Sequence, residues 1–132
     1  MRLPRNPPYR EQTISLPDGR KLGVAEFGVP DGRAILWFHG TPGARRQVPP
    51  RARSLAKERG LRIVGIERPG IGDSTPHLYD SFSDWAEDVG EVLDQLGIDR
   101  FGAIRAHMFV RANEADYAQL IPALISRIDR LK

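Results

Sequence analysis

The sequence predicts an α/β fold in which a mostly parallel sheet carries an N-terminal antiparallel hairpin and has helices on both faces. Residues 34–38 are a continuous apolar run, as expected of a strand that is buried on both sides, and residues 61–66 are a second, mainly apolar segment that predicts the next buried strand. A helical stretch follows each of these segments, and two predicted strands joined by a turn precede them. Strands and helices that alternate in this way favour right-handed βαβ units within one layered domain.

The N-terminal elements are delimited by turn-forming residues. Residues 1–10 are rich in proline and predict an irregular arm, which precedes a single domain over residues 11–132. Residues 12–16 alternate polar and apolar side chains, as a half-buried strand does, and residues 22–27 fit a second strand. Pro-Asp-Gly between them predicts a hairpin. The first buried strand then spans residues 34–38.

The later elements follow from caps and periodicity. A helix is predicted over residues 51–59, after two prolines and before a glycine, and the next buried strand over residues 61–66. Ser81 and Ser83 are interpreted as caps of a helix over residues 82–96. On that helix we expect one apolar face formed by Trp85, Val89, Val92 and Leu96, whereas Glu87, Asp88, Glu91 and Asp94 face elsewhere. A short strand over residues 101–104 and a helix over 114–131 complete the prediction.

Composition limits the functional classes. At 132 residues, the chain has the length of one ordinary domain, and its lack of cysteine excludes disulfides, thiolate metal sites and a cysteine nucleophile. The net charge is only +3 and no nucleic-acid-binding motif is present, so we expect no nucleic-acid partner. There is no apolar run of the roughly 20 residues that cross a bilayer, and no secretory signal pattern. We therefore expect a cytoplasmic protein without cofactor, metal or membrane association.

The first chemical motif is His-Gly-Thr-Pro-Gly at residues 39–43, directly after the buried strand. Glycines allow the backbone to approach a ligand closely, and N–H groups beyond the end of the sheet are available to a developing oxyanion. The pentapeptide alone equally fits a structural Gly-Pro turn. The candidate oxyanion or binding residues are His39, Gly40, Thr41 and Gly43.

The second motif is Glu-Arg-Pro-Gly-Ile-Gly-Asp-Ser at residues 67–74, directly after the strand at 61–66. With both loops in this order, the chain resembles those members of the α/β-hydrolase fold family that have a His-Gly-Thr-Pro-Gly loop followed by Arg-Pro-Gly-x-Gly-x-Ser. The resemblance covers roughly residues 12–104 and implies descent from an ester- or amide-type hydrolase. It also implies a structural role for Ser74. A dinucleotide-binding fingerprint is the competing interpretation, and it fails because Thr75 stands where its third glycine would be.

The family places a nucleophile elbow, Gly-x-Ser-x-Gly, after the strand that corresponds to residues 101–104. This chain has Ile-Arg-Ala-His-Met at residues 104–108, and none of its serines has a glycine two residues away on both sides. The segment from His107 onward resembles the family's final stretch, where the catalytic histidine precedes the last helix. The resemblance therefore implies a truncated α/β-hydrolase-like sheet with a deletion junction near residues 104–107. His107 is then an orphan general-base candidate, and its alternative is an ordinary surface histidine.

Three functional hypotheses follow from these observations. The first is a hydrolase-family protein that lacks efficient catalysis, because the nucleophile elbow and the acidic partner are missing. The second is an interaction module that forms a homo-oligomer, or pairs with a full-length homologue, through an exposed sheet edge. In neither case is a small-molecule substrate assigned. The third is an enzyme with an unrelated mechanism that uses His39, Asp73, His77 and His107. The spacing of these residues does not support a metal site.

Overall fold

The computed structural model describes residues 6–40 and 43–105. Each element within these ranges lies within two residues of its predicted bounds. The predicted helix over residues 114–131, His107 and the proposed junction beyond Arg105 lie outside the described residues. The elements in chain order are β1 (Arg10–Ser15), β2 (Lys21–Gly28), β3 (Arg33–Phe38), α1 (Pro50–Arg59), β4 (Leu61–Ile66), α2 (Phe82–Gln95) and β5 (Phe101–Arg105).

The five strands form one mixed sheet in the order β1-β2-β4-β3-β5. β3 runs parallel to both β4 and β5, whereas β2 is antiparallel to β1 and to β4. The hairpin therefore lies at one side of three parallel strands, as predicted. Its turn closes with a hydrogen bond from the Leu16 N–H to the Arg20 carbonyl at 2.8 Å, and Gly19 supplies the positive φ of 91° that this turn requires.

Helix α2 covers one face of the sheet. Ser81 caps it, because its hydroxyl accepts a hydrogen bond from the Asp84 N–H at 3.3 Å. The cap predicted at Ser83 is wrong, since Ser83 is the second residue of the helix itself. Tight packing at this interface joins the two layers into one core, which includes Leu22, Val24, Leu36, Phe38, Val64, Ile66, Trp85, Val89 and Val92.

Helix α1 covers the opposite face, where it packs on β2 and β4. Its end at Gly60 is the left-handed C-cap that the sequence predicted, with φ of 66°. The guanidinium of Arg53 lies 4.4 Å from the centre of the Phe27 ring and makes a cation–π contact with it. The alternating strand residues thus bury both faces of the central strands, and on this side the core consists of Ala25, Phe27, Trp37, Val48, Ala56 and Ile63.

Asp88 on α2 is a buried carboxylate. Arg20, 68 residues away in the hairpin turn, binds both carboxylate oxygens at 2.8 and 3.1 Å. The Tyr79 hydroxyl donates to the same carboxylate at 2.5 Å. A buried charge needs such partners, and helical periodicity carries no information about a partner so distant in sequence.

A second buried carboxylate, Glu26 on β2, is fully enclosed. Arg62 binds one of its oxygens at 2.7 Å, and the Arg10 guanidinium lies 2.8 Å from the other. The backbone N–H of Tyr9 also donates to the Glu26 carbonyl, so the end of the predicted N-terminal arm joins the sheet. Neither described helix is long and apolar enough to cross a membrane.

Candidate active-site edge

The two motifs lie at one edge of the sheet. Residues 39–43 follow β3 and residues 67–74 follow β4, and these strands are parallel neighbours. Their carboxyl ends therefore meet, at the edge where open α/β sheets bind ligands. β5 flanks β3 on its other side and ends at the same edge. The structure thus brings together two loops that are nearly 30 residues apart in sequence.

His39 is buried between the two loops. Its Nε2 accepts the backbone N–H of Arg68 at 3.1 Å, so the proton must reside on Nδ1, which lies 2.8 Å from the Gly40 carbonyl. The Arg68 guanidinium in turn donates to the His39 carbonyl at 2.6 Å. Burial lowers the pKa of His39, and the nearby positive charge of Arg68 lowers it further. Both ring nitrogens are engaged, so this imidazole is a neutral structural link rather than a free base.

The backbone of the first loop is shaped by Gln47. The Gly40 N–H donates to Gln47 Oε1 at 2.8 Å, and this donor is therefore already satisfied. A Cβ at Gly43 would lie 2.2 Å from the same oxygen and 2.7 Å from the Gly40 carbonyl, so only glycine fits there. Thr41 lies outside the described residues. The oxyanion role of the loop stays a prediction, and the geometry gives His39, Gly40 and Gly43 places in its framework.

Glu67 is a site residue that sequence reasoning missed. Its buried carboxylate accepts the Asp73 N–H at 3.1 Å and the Arg45 guanidinium at 3.2 Å. A Cβ at Gly72 would lie 2.1 Å from this carboxylate, and one at Gly23 would lie 2.2 Å from it. Two glycines therefore leave room for one buried charge. A glutamate at the end of a buried strand, directly before a glycine-rich loop, was the available signal.

Arg45 extends this arrangement to the hairpin. Besides Glu67, its guanidinium binds Asp73 at 2.8 Å and Glu11 on β1 at 3.4 Å. Arg46 binds both oxygens of Glu11 at 2.5 Å, and this hydrogen bonding is the main cause of the lowered pKa of Glu11. The charges of the loop are therefore paired with one another. Asp73, a candidate in the unrelated-mechanism hypothesis, is among them.

Ser74 and His77 lie outside any catalytic arrangement among the described residues. The Ser74 hydroxyl is buried, donates to the Glu67 carbonyl at 2.8 Å and accepts the Gly23 N–H at 2.9 Å. Its proton therefore points to a carbonyl and not to a base. His77 is exposed, with its ring edge-on to Tyr79 at 4.6 Å. Across residues 6–40 and 43–105, no group of three or more histidine, aspartate or glutamate side chains is placed to hold a metal ion.

Known proteins with related sequences and folds agree with this layout. A proline iminopeptidase of Xanthomonas citri is 30% identical over 101 residues, which are 74% of this chain and 32% of that protein. An esterase from Exiguobacterium antarcticum superposes with a TM-score of 0.59 at 25% identity, over 71% of this chain and 34% of its own. An epoxide hydrolase of the α/β-hydrolase superfamily, from metagenomes of hot environments, gives 0.63 at 21% identity, over 74% and 33%. No protein-family profile matches the sequence.

The chain belongs to the α/β-hydrolase fold family. The shared part covers 74% of this chain in the peptidase comparison and 71% in the esterase superposition. The chain spans about a third of the length of the curated relatives that it matches. Its place in the family rests on this shared part, and the activity of a whole hydrolase is a matter of proposal.

Proposed function

We propose that this chain carries the oxyanion-loop half of an α/β-hydrolase site and does not itself hydrolyse esters or amides efficiently. One observation carries the proposal: the sequence contains no Gly-x-Ser-x-Gly elbow, and the strand that should lead into it continues as Ile-Arg-Ala-His-Met. The relatives, which are named as a peptidase, an esterase and epoxide hydrolases, support a hydrolytic origin.

The described side chains supply no substitute for the missing pair of nucleophile and base. A serine nucleophile needs an adjacent general base that removes its proton. Ser74 instead donates to the Glu67 carbonyl, and the only buried histidine among the described residues, His39, uses both nitrogens in the loop framework. Removal of a serine nucleophile lowers turnover about a millionfold, and the oxyanion hole with substrate binding retains roughly 10³–10⁴-fold over water.

His107 is the remaining base that the family resemblance suggests. In a catalytic triad, the acid fixes the tautomer of the histidine, and the histidine removes the proton of the nucleophile. Without a serine at the elbow, His107 has no proton to remove, so its substitution should leave the residual rate unchanged.

The test is turnover of p-nitrophenyl acetate by the purified full chain and by its His107→Ala variant, with His77→Ala as the matched histidine control. We expect all three proteins to give the same slow rate and no covalent adduct with a fluorophosphonate probe. Rapid turnover that His107→Ala alone abolishes, or a single labelled serine, would contradict the proposal.

A second candidate function is favoured by one feature of the sheet. Among the described residues, β5 pairs with β3 only, and Gly102, Ala103 and Ile104 are all exposed. An open edge strand presents unpaired N–H and C=O groups to other chains. We therefore infer a strand-pairing module as the second candidate function, and a second copy and a full-length homologue are the two partners that the sequence suggested.

A further inference from the structure

Among residues 6–40 and 43–105, nothing pairs with the outer edge of strand β5 and no helix packs on one of its faces. Ile104 pairs with Trp37 in the ladder, which places it on the α1 side of the sheet, yet α1 packs on β2 and β4. Ile104 is 44% exposed, and a Cβ built on Gly102 would meet nothing within 4 Å. This side of β5 is therefore a bare glycine next to an exposed isoleucine, without a described element above it.

We propose that the occupant of this edge is a second copy of the same chain, with the two β5 strands antiparallel and Ala103 opposite Ala103. The inference rests on the strand-pairing function proposed above and names its partner. The two-fold axis then runs through the Ala103 pair, so the same surface of each copy is used and the contact closes as a dimer.

The side chains fit this register. With Ala103 at the centre, Ile104 of each copy lies directly opposite Gly102 of the other, and directly opposed residues share one face of an antiparallel pair. Gly102 is itself paired with the half-buried Ile35 of β3. Because Gly102 has no side chain, a gap lies beside Ile35 on this face of the sheet. Ile104 of the second copy fills that gap and packs against Ile35. Each exposed isoleucine is covered at the place where the partner lacks a side chain.

The composition of the strand permits this pairing. Residues 101–104 include no proline and no charged side chain of the kind that protects edge strands from pairing.

The size of the contact sets the expected strength. Five paired residues on each side bury much less than the roughly 1,000 Å² of a stable interface, so the dimer should be weak and its population should depend on concentration. The measurement is sedimentation equilibrium of the full chain from about 10 µM to about 1 mM, together with amide exchange at those of Gly102, Ala103 and Ile104 whose N–H groups point away from β3. We expect the mass to rise from 14.8 kDa toward twice that value, with slower exchange at the edge.

Two single substitutions test the register. Gly102→Lys has open space in the monomer, and Ile104→Glu replaces an exposed side chain, so neither should unfold the chain. Each alone should weaken self-association about tenfold, whereas an equimolar mixture should form a heterodimer of near wild-type strength, because the new lysine then faces the new glutamate. Leu78→Glu is the matched control, since Leu78 is 94% exposed and lies outside the edge.

The outcomes separate the partner from the function. A monomer at every concentration, with fast exchange at the edge, overturns self-pairing and leaves an open strand for another chain. A monomer with slow exchange means that the chain covers its own edge, which overturns the strand-pairing function as well. A dimer that Leu78→Glu dissolves, or that the mixture of variants does not restore, overturns the proposed register.

Discussion

The backbone N–H of Arg68 donates a hydrogen bond to Nε2 of His39 at 3.1 Å, which joins the loop after β4 to the loop after β3. The direction of this hydrogen bond is fixed, because a backbone N–H can only donate. It therefore requires an unprotonated Nε2, and the other ring nitrogen must carry the hydrogen that faces the Gly40 carbonyl. The folded edge accommodates the neutral imidazole and opposes the imidazolium.

Stability should consequently fall as the pH falls below the pKa of an unfolded histidine, about 6.5. Burial lowers the pKa of His39 in the folded state, so in this window the unfolded chain binds a proton that the folded chain does not. The free energy of unfolding then decreases with decreasing pH, until the folded pKa is reached. Urea unfolding between pH 7.5 and about pH 5 measures the effect.

The control for this effect is a pair of histidine variants. His39→Asn should lower stability at neutral pH by about 1–3 kcal/mol, because a buried hydrogen-bonding group loses a partner, and it should flatten the pH dependence. His77→Asn, at an exposed position, should leave both properties unchanged. Equal pH dependence in wild type and His39→Asn would show that the His39 contact does not hold the imidazole neutral.

Local signals in the sequence were sufficient for the fold. Gly60 ends α1 in the left-handed conformation, Ser81 caps α2, and the turn at Gly19 closes the hairpin, each as its residue type predicted. These features depend on contacts within a few residues. The buried strands were predicted from their mainly apolar sequences, and their bounds differ from the prediction by two residues at most.

The polar framework could not be predicted from the sequence, since its members are far apart along the chain. Arg45 meets Glu67 across 22 residues and Glu11 across 34, and Asp88 meets Arg20 across 68. Helical periodicity separates Asp88 from the apolar face of α2, but it does not show that this carboxylate is buried against Arg20. Only the packed sheet decides which of many arginines reaches which carboxylate.

The carboxylate of Glu67 should be worth more than that of its neighbour Glu11. Glu67→Ala leaves Arg45 and the Asp73 N–H without a buried acceptor, which should lower the free energy of unfolding by about 2 kcal/mol. Glu11→Ala removes a more exposed ion pair and should change it by less than about 1 kcal/mol. Chemical denaturation of both variants compares them, and equal losses would contradict the central role assigned to Glu67.

Gly72 and Gly70 form a matched pair in the same loop. Both have positive φ, 54° and 79°, so replacement by alanine costs each of them roughly 1 kcal/mol of backbone strain. Only at Gly72 does the new Cβ also meet a buried group, since it would lie 2.1 Å from the Glu67 carboxylate. Gly72→Ala should therefore be the more destabilising by a further ~1–3 kcal/mol, and Gly72→Ala combined with Glu67→Ala should recover part of that difference. Thermal unfolding of the three variants is the measurement, and similar values for the two single variants would place Glu67 elsewhere.

The hydroxyl of Tyr79 should contribute to stability through Asp88, because a hydrogen bond to a charged and buried acceptor is stronger than one between neutral groups. Tyr79→Phe keeps the ring contact with Trp85 at 5.6 Å and removes only the donor, so a loss of about 2 kcal/mol is expected.

Burial, followed by the hydrogen bond to Asp88, raises the pKa of Tyr79 above its ordinary value of 10.0, so the unfolded chain loses this proton first as the pH rises. Stability that is present below pH 10 is then lost above it, and Tyr79→Phe should remove that part of the alkaline destabilisation. Tyr9→Phe is the control, since its hydroxyl makes a longer contact of 3.2 Å to Glu26, and a larger loss there than at Tyr79 would reverse the order of the two contacts.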